Sequence, residues 1–152
     1  MHTTRQRNAF VSIACALLLV VPISPVRATA ATRNVEITFT KWFINNTGGM
    51  TGFVGGDVSG SFGGQVLGFN TLAKGNIFQL SALYDVSAGP QSFAATIQGQ
   101  QNNQTGKAVL NGVVTDGWSA GSQVHVEYDV INCPQSPFGC FQGTIRIMSA
   151  EF

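Results

Sequence analysis

The chain has 152 residues, 44% of them hydrophobic and only 10% charged, with a formal net charge of +1. So few cations, scattered with no basic run, exclude nucleic-acid binding and polybasic membrane attachment, which both need clustered positive charge. A domain of this length buries a core large enough to fold without a structural metal.

Arg5 and Arg7 come first, followed by an apolar run over 10–21 (FVSIACALLLVV), two prolines at Pro22 and Pro25, and then Ala28-Thr29-Ala30. A charged start, a short apolar run and a small-x-small site predict a secretory signal peptide over 1–30, leaving 31–152 as one domain. The run is shorter than the roughly 20 residues of a spanning helix, and no second one follows, so no integral membrane segment is expected after cleavage. Cys15 lies early in the run, not at its end, which disfavours a lipidation site. Beyond residue 30 stand seven acids and five bases, the latter Arg33, Lys41, Lys74, Lys107 and Arg146, so the mature charge is −2. The destination is extracellular or periplasmic.

After the leader, apolar residues recur with period two and no window shows a helical stripe. Val35, Ile37 and Phe39 alternate with Glu36, Thr38 and Thr40, predicting a strand over 35–42. Asn45 to Gly49 reads as a turn. The glycine-rich stretch over 48–68 carries Met50, Phe53, Val54, Val58, Phe62, Val66 and Leu67, too much apolar load for a linker. It predicts two strongly bent strands, over 50–58 and 61–69, with glycine at bends or close approaches. Further strands follow over 77–86, 91–100, 107–115, 122–132 and 140–148. Polar or glycine-containing turns separate them. The longest clean alternations are Phe78, Leu80, Ala82, Tyr84 and Val86, and then Val124, Val126, Tyr128 and Val130. Trp118 falls in a loop suited to covering one end, while Trp42 and Phe43 are placed to cap another.

Between the last two strands lies Cys-Pro-Gln-Ser-Pro-Phe-Gly-Cys. An exported chain makes a Cys133–Cys140 disulfide the default, and the prolines and glycine turn the chain between them. Half a zinc site is the rival, but zinc wants four ligands and only one histidine, His125, follows the leader. No metal and no cofactor is expected.

Eight short strands joined by tight turns predict an all-β fold, an eight-stranded antiparallel up-and-down β-barrel. Closure also removes exposed strand edges. His125, Glu127 and Asp129 share one face of their strand. As candidate catalytic residues they form an acid–base row inside a cavity. As a solvated outer wall they leave Val124, Val126 and Tyr128 facing in, and the desolvation cost of buried carboxylates favours that orientation. No nucleophile elbow and no complete phosphate-binding loop is present. The candidate ligand-binding residues are Tyr84, Tyr128, Phe78 and Val126, on the inward rows. The tyrosine hydroxyls offer donors on otherwise apolar walls.

Glycine-and-apolar spacing over 56–66 (GDVSGSFGGQV, with Gly56, Gly60 and Gly64), then Tyr84-Asp85-Val86, then Ser92 to Gly99, then Gly106 to Gly117, resembles the allene oxide cyclase and dirigent-protein barrel superfamily across most of the mature chain. The resemblance implies an eight-stranded barrel with an apolar cavity, of the bacterial secreted type. It also implies a small lipophilic ligand whose cyclisation or coupling the barrel steers, an isomerase-like role if enzymatic. No catalytic position of that superfamily matches residue by residue. The alternative is a non-enzymatic extracellular structural or interaction protein whose barrel is filled by side chains. Oligomers are compatible with either. Interior volume separates the two.

Overall fold

The structure, a computed structural model, describes residues 32–150, so the predicted signal peptide lies outside the described residues. Its strands are β1 (Thr32–Phe43), β2 (Gly49–Gly56), β3 (Gly60–Leu72), β4 (Ile77–Ser87), β5 (Phe93–Asn102), β6 (Lys107–Gly117), β7 (Gln123–Ile131) and β8 (Cys140–Ala150). Each pairs antiparallel with the next, and β8 returns to pair with β1, so the all-β sheet closes into an eight-stranded up-and-down barrel. The sequence-predicted strands correspond one to one. They differ mainly at their ends. β5 starts at Phe93 because Gly89–Gln91 forms a short 3-10 turn before it.

Small residues face large ones inside the barrel, as a closed sheet of this size requires. Gly143 on β8 sits between Tyr128 of β7 and Phe39 of β1. Gly64 on β3 sits between Met50 and Tyr84, and Gly99 on β5 between Leu80 and Leu110. A Cβ on Gly143 would meet the Glu127 carbonyl oxygen and come within 2.7 Å of Tyr128 Cα. The neighbouring backbone occupies the space a side chain would need. Within the glycine-rich stretch, a Cβ on Gly52 would likewise meet the Thr40 backbone, the close approach expected there.

One end of the barrel is solid. Ile37, Val86, Ala95, Ile97, Val114, Val124, Val126, Ile145 and Ile147 are all buried there. Val58 closes the β2–β3 turn, and Trp118 packs on Phe93 with ring centroids 6.5 Å apart, covering that end as its loop position suggested. Trp42 is not an end cap. It lies on the outer wall against Phe53, centroids 5.5 Å apart, because it is one residue out of phase with the inward positions of β1. Phe43 faces the opposite end.

That opposite end is shaped by a bulge and a loop. The β3–β4 register slips between Val66 and Gly68. Leu67 is the unpaired residue, and the slip changes which side chains face in, pairing Phe69 with inward-facing Leu80. Re-aiming a side chain is what a bulge does. The β7–β8 loop folds against the end of β1: Ser136 Oγ donates to the Phe43 carbonyl at 2.6 Å, and Phe43 N donates to the Gly139 carbonyl at 3.1 Å.

Cys133 and Cys140 pair across this loop, with Cα atoms 6.0 Å apart. Closing an eight-residue loop restricts the unfolded chain by about 2–3 kcal/mol in the chain-entropy description. The Cys133→Ser/Cys140→Ser double variant is therefore expected to melt several degrees lower. Equal melting temperatures for the two forms in a calorimeter would contradict this.

Candidate functional site

On β1, Val35, Ile37 and Phe39 are buried and alternate with exposed Glu36 and Thr38. The same parity carries Lys41 inward, and it is only 3% exposed. Its cross-strand neighbour on β2 is Gly52, and a Cβ there would come within 2.7 Å of Lys41 Cα. On the other side, Phe141 of β8 pairs with it. Gly52 thus lets the β2 backbone approach β1 closely beside the lysine.

The Lys41 ammonium or amine nitrogen donates to Tyr84 Oη. Around it stand the rings of Phe39, Phe62, Tyr84, Tyr128 and Phe141, with centroids 4.0–5.5 Å from Nζ. Tyr84 and Tyr128 are the titratable groups that face it. No carboxylate among the described residues pairs with it, and Ser122 and Ser136 are the other buried polar residues. Burial without a counter-charge holds the Lys41 pKa well below that of an ordinary lysine. Ring faces return on the order of 2 kcal/mol for a dry contact, but nothing nearby supplies the opposite charge that would restore the ammonium. Burial pushes the Tyr84 phenol well above its ordinary value, with the nearby Tyr128 adding to the rise. Tyr128 is pushed up by burial as well. Both phenols therefore keep their protons where the lysine tends to lose its own. Tyr128 donates to Gln101 Oε1 at 3.0 Å, and Gln101 Nε2 donates to Asn103 Oδ1 at 2.9 Å.

Above this cluster the barrel is hollow. A cavity of about 600 Å³ runs from Lys41, Tyr84, Ala82 and Leu110 up to a mouth formed by the Asn45–Gly48 turn and by Phe138 and Gly139 of the disulfide loop. Phe69 and Phe78 stand on its wall with centroids 4.5 Å apart. The volume suits a drug-sized ligand, and the lining has the usual character of such sites, apolar with a few convergent polar groups.

Comparison with family models, curated proteins and solved structures finds no match for this chain. The site's own chemistry therefore carries the functional reading.

Of the residues singled out from sequence, Tyr84, Tyr128 and Phe78 line the cavity. Val126 does not, being fully buried in the solid half below. The row His125, Glu127 and Asp129 lies on the outer wall and is not brought to the cavity. His125 Nδ1 meets Asn111 Oδ1 at 2.7 Å, its Nε2 lies 3.3 Å from Glu127, and Lys107 pairs with Asp129 at 2.9 Å, all near the surface. No group of three His, Cys, Asp or Glu among the described residues is placed to hold a metal ion. No helix among them is long and apolar enough to cross a membrane. Sequence reasoning missed Lys41, Gln101 and Phe69. The signal for Lys41 was present, since it continues the run Val35, Ile37, Phe39 by two residues. Phe69 depends on the bulge, which alternation does not foretell.

Proposed function

We propose that this is an exported ligand-binding barrel that takes one small, mostly apolar molecule into its open end and seats the molecule's polar group against Lys41, Tyr84 and Tyr128. A cavity with an aromatic wall and a single amine between two phenols at its floor is the observation that carries this reading. An interior left open at one end supports ligand binding over the alternative of a side-chain-filled structural barrel. The predicted leader and the disulfide support an extracellular or periplasmic setting. The resemblance to allene oxide cyclases and dirigent proteins supports a further step, in which the walls hold a reactive ligand in one conformation while it cyclises or couples. A fixed conformer is the main thing such a site contributes.

Titration of the mature protein with the neutral apolar fluorophore N-phenylnaphthylamine tests the binding reading. Saturable enhancement with one site per chain is expected. Leu80→Trp, which adds bulk to the cavity wall, should weaken binding at least about tenfold, or 1.4 kcal/mol, while the thermal melt stays cooperative. No saturable binding to the folded wild-type protein would overturn the reading.

A further inference from the structure

We propose that Lys41 is a nucleophilic amine that captures the carbonyl carbon of an apolar aldehyde or ketone as an imine. The inference rests on the ligand-binding reading above and adds the chemical class of the ligand.

Three features of the molecule lead to it. First, Lys41 and its hydrogen-bond partner Tyr84 both line the cavity, so a ligand entering at the mouth meets this pair. Second, the nitrogen is enclosed by rings and faces no carboxylate among the described residues, so nothing holds it as an ammonium. A lysine desolvated in an apolar pocket is an activated nucleophile. Third, Tyr84 Oη lies within hydrogen-bond reach of Nζ, so one phenol can pass a proton to the carbonyl oxygen and take one back from the nitrogen. Tyr128 differs, because its proton is engaged by Gln101.

The step balances within these groups. The Lys41 lone pair forms the C–N bond, and the carbonyl π electrons move to oxygen, which takes the Tyr84 proton. The nitrogen returns a proton to the Tyr84 oxygen, giving a neutral carbinolamine. A second round of the same exchange sends the remaining amine proton to the hydroxyl, and the C–O bond breaks. The oxygen leaves as water through the mouth, Tyr84 ends as it began, and the neutral imine needs no counter-charge. A lysine without an acidic partner is suited to that product, because the apolar surroundings that penalise an ammonium do not penalise a neutral imine.

Decanal, with sodium borohydride added after a timed incubation, followed by intact mass and peptide mapping, tests the proposal on the wild-type protein. Reductive capture adds the mass of the aldehyde less one oxygen atom. Lys74 and Lys107, both exposed, serve as internal references. Lys41 is expected to be labelled at least tenfold faster than either, with N-phenylnaphthylamine competing. Its rate should fall less steeply from pH 9 towards neutrality than the rates of ordinary lysines, which lose about tenfold per unit. Tyr84→Phe should slow labelling of Lys41 about tenfold while Lys74 and Lys107 are labelled as before. Lys41→Met should lose the fast adduct and still melt cooperatively. Equal labelling of the three lysines in a protein that binds N-phenylnaphthylamine would overturn the imine and leave the ligand-binding reading standing. So would decanoate that binds and shields Lys41 while decanal is not captured, since the lysine would then be an ammonium anchoring a carboxylate. Failure of both the fluorophore and selective capture would overturn both proposals together.

Discussion

Val126→Asp is expected to leave the protein unfolded at room temperature, whereas Glu127→Gln is expected to melt within a degree or two of wild type. The two positions are adjacent on β7 and differ only in the face they occupy. Val126 is 0% exposed and packed in the solid half of the barrel. A carboxylate there has no partner within the apolar core, and an unpaired buried charge costs several kcal/mol. That is a large fraction of the 5–15 kcal/mol that holds a domain of this size together. Glu127 is half exposed and contacts His125 at 3.3 Å and Arg146 at 4.0 Å. Pairs of that kind contribute about 0–1 kcal/mol. Circular dichroism at increasing temperature distinguishes the cases. A stable Val126→Asp protein beside a crippled Glu127→Gln would mean that β7 is turned inside out.

Lys41→Met is expected to stabilise the protein, by about 1–3 kcal/mol at neutral pH, on the scale measured for buried polar groups with incomplete hydrogen bonding. Methionine fills nearly the same volume and needs no water. The effect should depend on pH, with a definite sign. Burial lowers the folded-state pKa of Lys41, whereas the unfolded chain titrates near 10.4. Between those two values the unfolded state binds more protons, so wild-type stability rises with pH and is lost as pH falls towards the folded pKa. The advantage of Lys41→Met therefore shrinks from pH 7 towards pH 10. Above about pH 10 the tyrosines take over with the opposite sign, because Tyr84 and Tyr128 keep protons that the unfolded chain releases. Urea denaturation of both proteins at pH 7, 8 and 9 measures the gap. A gap that does not change with pH would show that the lysine is not buried as a neutral amine.

The strands were legible because alternation is a local property. Each run of Val, Ile, Phe and Tyr at every second position fixes both an extended backbone and the face that must be hidden. This alone places Tyr84 and Tyr128 on inward rows. The same rule explains why Lys41 was passed over. It occupies the inward phase of β1, yet a charged residue near a strand end ordinarily marks emergence into solvent. The molecule breaks the usual pairing of phase and polarity at one position, and that position lies at the floor of the cavity, where such violations concentrate. The bulge at Leu67 was hidden for a different reason. It depends on how β3 meets β4 across the sheet, and no pattern within β3 records it. Val126 faces inward as expected but lies below the cavity, because parity sets the face of a residue and not its depth along the barrel.

The pairing of β1 with β8 brings Thr32 beside Ala150, at the end of the barrel away from the mouth. Both residues therefore lie on the closed side of the barrel. A fusion partner, an affinity tag or a surface linker attached there points the cavity outward and does not obstruct ligand entry. For an immobilised protein this means that attachment at Thr32 or Ala150 turns the mouth towards the bulk solution. Attachment through Lys107, which lies beside the β5–β6 turn at the mouth end, would instead turn part of the population face down.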